Sequence, residues 1–280
     1  SWDDAMSGKQ FFTMLANNSF KQGADIYMAA GIYKVGTSSS DFVSVSSGVN
    51  IHGGYDPAST GYGTSISYPS SFETIISGDI NEDGIANQGD ARLMEVTTAI
   101  PVSFYGVTFK GGYIATATHS EASGANLSVR SGINVLKGGA LNMNYCNIEG
   151  CISDIGANSD AGGAALLISG GVVKMNKCVI KDNQSNNRGG AIRMIISQGH
   201  DTKLYMNNSL LTHNGIKGDF GGTIQVSGSC DIFMNNCTLV DNYAKYGGAG
   251  INTSGKLVLM NSTLVNNLCT NGSNGHELRC

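Results

Sequence analysis

Twelve residues, Asp79-Ile80-Asn81-Glu82-Asp83-Gly84-Ile85-Ala86-Asn87-Gln88-Gly89-Asp90, put oxygen side chains at loop positions 1, 3, 5 and 12, with glycine at 6. A hard cation takes oxygen ligands in this order, the glycine making the sharp turn and a backbone carbonyl serving at position 7. Asp79, Asn81, Asp83, Ile85 (through its carbonyl) and Asp90 are therefore the candidate metal ligands, and a structural Ca2+ is the expected cofactor. Three carboxylates packed this closely repel one another unless a cation joins them. An acidic, glycine-containing solvent loop is the plainer reading of the same letters.

A second constellation emerges when the chain is laid out as repeats. Met143-Asn144, Met175-Asn176, Met206-Asn207, Met234-Asn235 and Met260-Asn261 are each followed by a small residue: Cys146, Cys178, Ser209, Cys237 and Ser262. Two positions on stands an aliphatic, and three further on come Cys151, Asn183, Asn214, Asn242 and Asn267. The fifth copy counts one residue short between Asn261 and Ser262. The position just before the last set reads Gly150, Asp182, His213, Asp241, Asn266. At a strand spacing of about 4.8 Å, His213 between Asp182 and Asp241 is a candidate acid/base or metal pair. A solvated turn column with alternating charge is the structural alternative. A third candidate is the crowd of Tyr55, Tyr62, Tyr68, Tyr105 and Tyr113 with His52 and His119, since exposed tyrosines stack on sugar rings and buried ones simply pack.

The elements that position these groups follow from periodicity. Apolar residues alternate within each copy (Val173, Met175; Ile232, Met234), the mark of half-buried strands. Asparagines and recurring Gly-Gly pairs such as Gly138-Gly139, Gly162-Gly163 and Gly189-Gly190 supply corners, where left-handed backbone or a missing Cβ is needed. Three short strands per copy of 24 to 32 residues make one coil of a parallel β-helix. Like residues then stack: a methionine column, a narrow Cys/Ser column, and two asparagine ladders, one from Asn144 to Asn261 and one from Asn183 to Asn267. Residues 3–20 read as one short helix carrying Ala5, Met6, Phe11, Phe12, Leu15 and Phe20, a cap for the open end of the core. The expected fold is thus all-β: a cap over 1–23, then one right-handed, three-strand-per-coil helix of about nine coils over 24–280, regular from about 133.

Composition agrees. Charged residues are 14% against about 25% in an average globular protein, while Gly reaches 39 and Pro only 3. A net charge of -4 offers no handle on nucleic acid, and no apolar run is long enough for a membrane helix. The chain opens at Ser1 without a signal segment, which reads as a mature form whose export signal has been removed. All seven Cys follow residue 145; Cys269 and Cys280 flank the end and are one candidate disulfide, with Cys151 and Cys230 as other partners.

The Gly-Gly-Ala-aliphatic words at 138–141 and 189–192, with aliphatic-x-x-Asn words at 180–183, 211–214, 239–242 and 264–267, resemble the twin repeat of chlamydial polymorphic outer-membrane proteins. That family has Phe in the second word, where this chain has Ile or Leu. Ser1-Trp2-Asp3-Asp4-Ala5 and the stretch from Gly23 to Tyr33 resemble the start of pectin-lyase-like right-handed β-helix proteins of bacterial surfaces, abundant in Bacteroidetes. The acidic loop resembles dockerin-type loops, which also end in Asp. These resemblances imply an exported, extracellular or outer-surface module that contacts a polysaccharide or a host surface glycan or protein, without catalysis. The alternative they imply is a polysaccharide lyase or glycoside hydrolase, recognisable by three or more acidic and basic side chains converging on one strand face.

Overall fold

The computed structural model describes residues 5–58, 68, 70–115, 131–155, 162–216, 222–271 and 277–279. Its one helix among these is shorter than the sequence pattern suggests, Gly8–Ala16. Ser7 stops it on one side: its hydroxyl accepts from Gln10 N and the Gln10 side chain accepts from Ser7 N, a closed capping box. On the other side Asn18 turns left-handed at φ 53°. Ala5 and Met6 consequently lie outside the helix. Phe11, Phe12 and Leu15 are buried and join the same core as Met28, Val43 and Val45, so the helix covers the first coil.

Every strand pairing between named strands is parallel. The chain visits three sheets in turn. Asp25–Ala29, Gly31–Lys34 and Val43–Val45 start sheets one, two and three, and each sheet is eight strands deep. A fourth, six-stranded sheet of two-residue strands, from Tyr113–Ile114 to Leu268–Cys269, lies between sheets two and three. Eight rungs result among the described residues, against the expected number of about nine. The fold is an all-parallel β solenoid.

Two left-handed corners run the length of the regular rungs. Between sheets one and two stand Tyr145, Lys177, Asn208, Asn236 and Asn261, with φ from 46° to 54°. After sheet two stand Gly111, Gly150, Asp182, His213, Asp241 and Asn266, with φ from 53° to 70°. The left-handed residue is therefore the one before each inner asparagine, and not the asparagine itself. The glycine word at 138 also belongs elsewhere than its letters suggest. Gly138 and Gly139 precede a sheet-one strand, whereas Gly189 and Gly190 precede a sheet-three strand. Strand register gives the true period: the inner rungs Cys151, Asn183, Asn214, Asn242 and Asn267 are 32, 31, 28 and 25 residues apart.

The inner ladder is present in full. Asn183, Asn214, Asn242 and Asn267 are no more than 1% exposed. Each amide oxygen accepts from the backbone N–H of the rung before, and each Nδ2 donates to the next Oδ1, as Asn214 does to Asn242 at 3.0 Å. Glu277 ends the series by accepting from both Asn267 N and Nδ2. The outer ladder differs from the expectation. Asn144, Asn176, Asn207 and Asn235 are in register, but Asn207 is exposed, and the partner of Asn235 is Met260. Amide bonds there run through the corner: Asn208 to Asn176, and Asn236 to Asn208. The fifth copy is not short. Leu259 takes the methionine position opposite Met234, leaving Met260 53% exposed and Asn261 at the corner.

The Cys/Ser column is buried from Cys146 to Cys237, with Ser209 Oγ and Ser262 Oγ accepting from Cys178 N and Cys237 N. Burial pushes the Cys146 thiol well above its ordinary range, and Cys151 up to about 12. Cys151 and Cys230 are buried free thiols, and Cys269 is buried; its candidate partner Cys280 lies outside the described residues.

Candidate functional site

The left-handed corner after sheet one turns its side chains outward, and at Tyr145 this builds a platform. Tyr145 stacks on Tyr68 with ring centroids 5.5 Å apart and planes 23° from parallel. Tyr68 is anchored from behind, its hydroxyl donating to Gly53 O at 3.0 Å, and burial raises its pKa far above that of a free phenol. One rung on, Lys177 Nζ donates to the Tyr145 hydroxyl at 2.8 Å. Two grooves meet at Tyr145 and Asn147. One, of about 290 Å³, is lined by Ser70, Phe72, Glu73 and Thr108; the other, of about 490 Å³, by Tyr68, Lys177, Asn208 and Leu210. The polar wall is organised by hydrogen bonds: Asn147 Nδ2 donates to Thr108 Oγ1, which donates to Glu73 Oε1 at 2.9 Å.

Beside the first groove, the outer face of sheet two carries Lys110, Glu149 and Lys181 in register. Glu149 bridges both lysines, at 3.6 and 3.1 Å, and its hydrogen bond and charge hold Lys181 above the usual lysine range. A ring stack occupies the outer face of sheet one nearer the helix. Tyr27, His52 and Tyr105 are in register, with centroid distances of 5.3 and 4.7 Å, and His52 Nε2 meets Asp25 Oδ1 at 3.1 Å. The tyrosine crowd thus divides. Tyr68 belongs to the groove and Tyr105 to the stack, Tyr55 is buried, and Tyr113 donates its hydroxyl to Asp154. Tyr62 and His119 lie outside the described residues. Tyr145, Lys177, Phe72, Glu73 and Asn147 carried no signal in the sequence beyond Tyr145 and Lys177 standing just before a Cys.

Asp182, His213 and Asp241 do fall on consecutive rungs, as the neighbouring pairs Lys181↔Thr212 and Thr212↔Val240 require. All three are exposed left-handed corner residues, and the His213 Nδ1 lies 3.0 Å from the Thr212 hydroxyl. The acidic loop brings its members together. Ligand oxygens of Asp79, Asp83 and Asp90 all lie within 4.8 Å of one another. Asn81 Oδ1 accepts from Asp83 N, and the Ile85 carbonyl accepts from Asn87 Nδ2, both within the same loop.

No family model, no curated protein and no solved structure matches the chain.

Proposed function

We propose that the protein is an exported β-helix of the cell surface that binds glycan, without catalysis, in the grooves flanking Tyr145. The Tyr68–Tyr145 stack carries this reading: a paired aromatic surface, bordered by amide, hydroxyl and ammonium groups, suits a sugar ring with an apolar face and a polar edge. No helix among the described residues is long and apolar enough to cross a membrane, and a net charge of -4 gives no attraction to nucleic acid. The test is a panel of plant and host polysaccharides, read both for binding and for release of reducing or unsaturated ends. Tyr145→Ala should cut the affinity of any bound glycan at least tenfold, as loss of one stacking platform of about 1.5 kcal/mol implies, while the fold stays intact. Equal binding by the variant sinks the reading.

A polysaccharide lyase or hydrolase is the second reading. Its support is the convergence of Glu73, Lys110, Glu149 and Lys181 near one groove, the cluster of acids and bases such chemistry needs. Release of sugar ends by the protein, lost in Glu73→Gln, would establish it over the binding module.

A further inference from the structure

We propose that the Asp79–Asp90 loop is a binding site for one calcium ion that fastens the corner of rung two to its neighbours. This is independent of the glycan reading. The proximity of Asp79, Asp83 and Asp90 is not by itself an argument, since acidic side chains gather on many surfaces. Burial supplies the argument. Asp90 is only 1% exposed. Asp79 Oδ1 is buried and has no hydrogen-bond partner in the protein. A carboxylate oxygen stripped of water and left without a donor is costly unless a positive charge meets it.

The other oxygens of the loop are already engaged. Gly84 N donates to Asp79 Oδ2, and Ile80 N and Asn87 N donate to the two oxygens of Asp90. Asp83 N donates to Asn81 Oδ1, and Ile85 N to Asp83 Oδ1. The backbone is wound around the carboxylates, with Glu82 at φ 63° and Gly84 at φ 81°. Amide nitrogens of Asn81 and Asn87 both donate to Asp83 Oδ2, so partial positive charge already converges on that oxygen. Glu82 points away and pairs with Lys34, whose Nζ also donates to Ile80 O at 3.1 Å.

The donor set selects the ion. Oxygen ligands alone, without His or Cys, exclude a preference for zinc. A backbone carbonyl and carboxylates strung on a single loop suit the larger, geometrically tolerant Ca2+ better than Mg2+, which demands a near-ideal octahedron. The position of the loop defines the role. It joins Thr74–Ser77 of sheet two to Met94–Val96 of sheet three. It is gripped by Lys34 of rung one, and Asp79 packs beside Gly111 of rung three. An ion here ties three rungs together and acts on stability.

The experiment uses the whole chain after chelator treatment, with calorimetric titration and thermal melting in CaCl2 and, separately, MgCl2. Expected is saturable one-site calcium binding with a dissociation constant of roughly 10⁻⁴ to 10⁻³ M, the range of extracellular calcium modules. The melting temperature should rise by about 2–5 °C at about 10 mM calcium and much less with magnesium. Asp83→Asn, an exposed change, should weaken binding at least tenfold, while Asp201→Asn, an exposed acid elsewhere, should leave it unchanged. No heat and no stabilisation by calcium, an equal response to magnesium, or an unaltered response in Asp83→Asn would each overturn the proposal.

Discussion

Rungs four to eight and rungs one to three follow the same path through the same sheets but are held by different means. In the later rungs like groups recur at like positions, with the inner asparagines of rungs five to eight, the methionines of rungs four to seven and the Cys/Ser residues each stacked on their like. In the earlier rungs the same core is filled by unlike pieces: Ile51 lies beside Phe104, and Phe104 meets Phe109 edge-on at 4.9 Å. Gly112 stands where the ladder would have its next rung, since Ile152 N donates to Gly112 O just as Gln184 N does to Cys151 O. The irregular rungs carry the long connections, from Tyr55 to Thr74 and from Ser77 to Met94, and with them Tyr68, Phe72, Glu73 and the acidic loop. Repetition supplies stability, and interruption supplies side chains that project. The Tyr145 groove sits where the two regimes meet.

The sharpest way to break this comparison is to cut the ladder. Asn214 is fully buried, donates to Ile180 O and Asn242 Oδ1, and accepts from Asn183 N and Nδ2. Asn214→Leu removes all four and strands the groups they served, so the loss should be about 3–5 kcal/mol in urea unfolding. Asn207→Leu, on an exposed position of the outer set, should stay within about 0.5 kcal/mol. Equal losses would mean that the later rungs owe nothing special to the inner amides.

The two ladders also show how far residue order alone could be read. The inner one was legible because a buried amide at a constant distance from a strand has few uses other than stacking. The outer one is less regular than its letters: Met-Asn recurs five times, yet in the last copy those letters stand one place later, with Leu259 packed against the core and Asn261 at the corner. Alternation could not choose between two flexible apolar residues of similar volume. The acidic loop was legible because its members are contiguous. The Tyr145 groove was not, because Tyr68 and Tyr145 meet only through the path of the coils, and nothing in either local sequence points to the other.

Glu277 tests the ladder from its end. Its carboxylate takes the place that an amide oxygen fills on every earlier rung, accepting from Asn267 N and Nδ2. Glu277→Ala leaves the donors of a residue 1% exposed without their acceptor, and should cost about 1–2 kcal/mol. The loss should be local. Hydrogen exchange at Leu268 and Thr270, whose amides donate to rung seven, should accelerate, while amides near Asn183 keep their protection. Uniform acceleration along the rod would instead mean that the regular rungs unfold as one unit.

The smallest effect concerns the second corner. His213 stands at φ 53°, between Asp182 at 57° and Asp241 at 55°, in a column that elsewhere carries Gly111 and Gly150. A non-glycine residue in the left-handed region costs about 1–2 kcal/mol, and glycine gives back about 0.5–1 kcal/mol through the flexibility of the unfolded chain. His213→Gly should therefore leave stability unchanged or raise it by up to about 1 kcal/mol in denaturant unfolding. The opposite sign would have a definite meaning. If the imidazole were held by the two aspartates as a working pair, its removal would leave like charges facing each other across one missing rung, and the protein would be less stable. The hydrogen-bonding distance between His213 Nδ1 and the Thr212 hydroxyl favours the first outcome, because that ring nitrogen is engaged by its own strand and not by the neighbouring rungs.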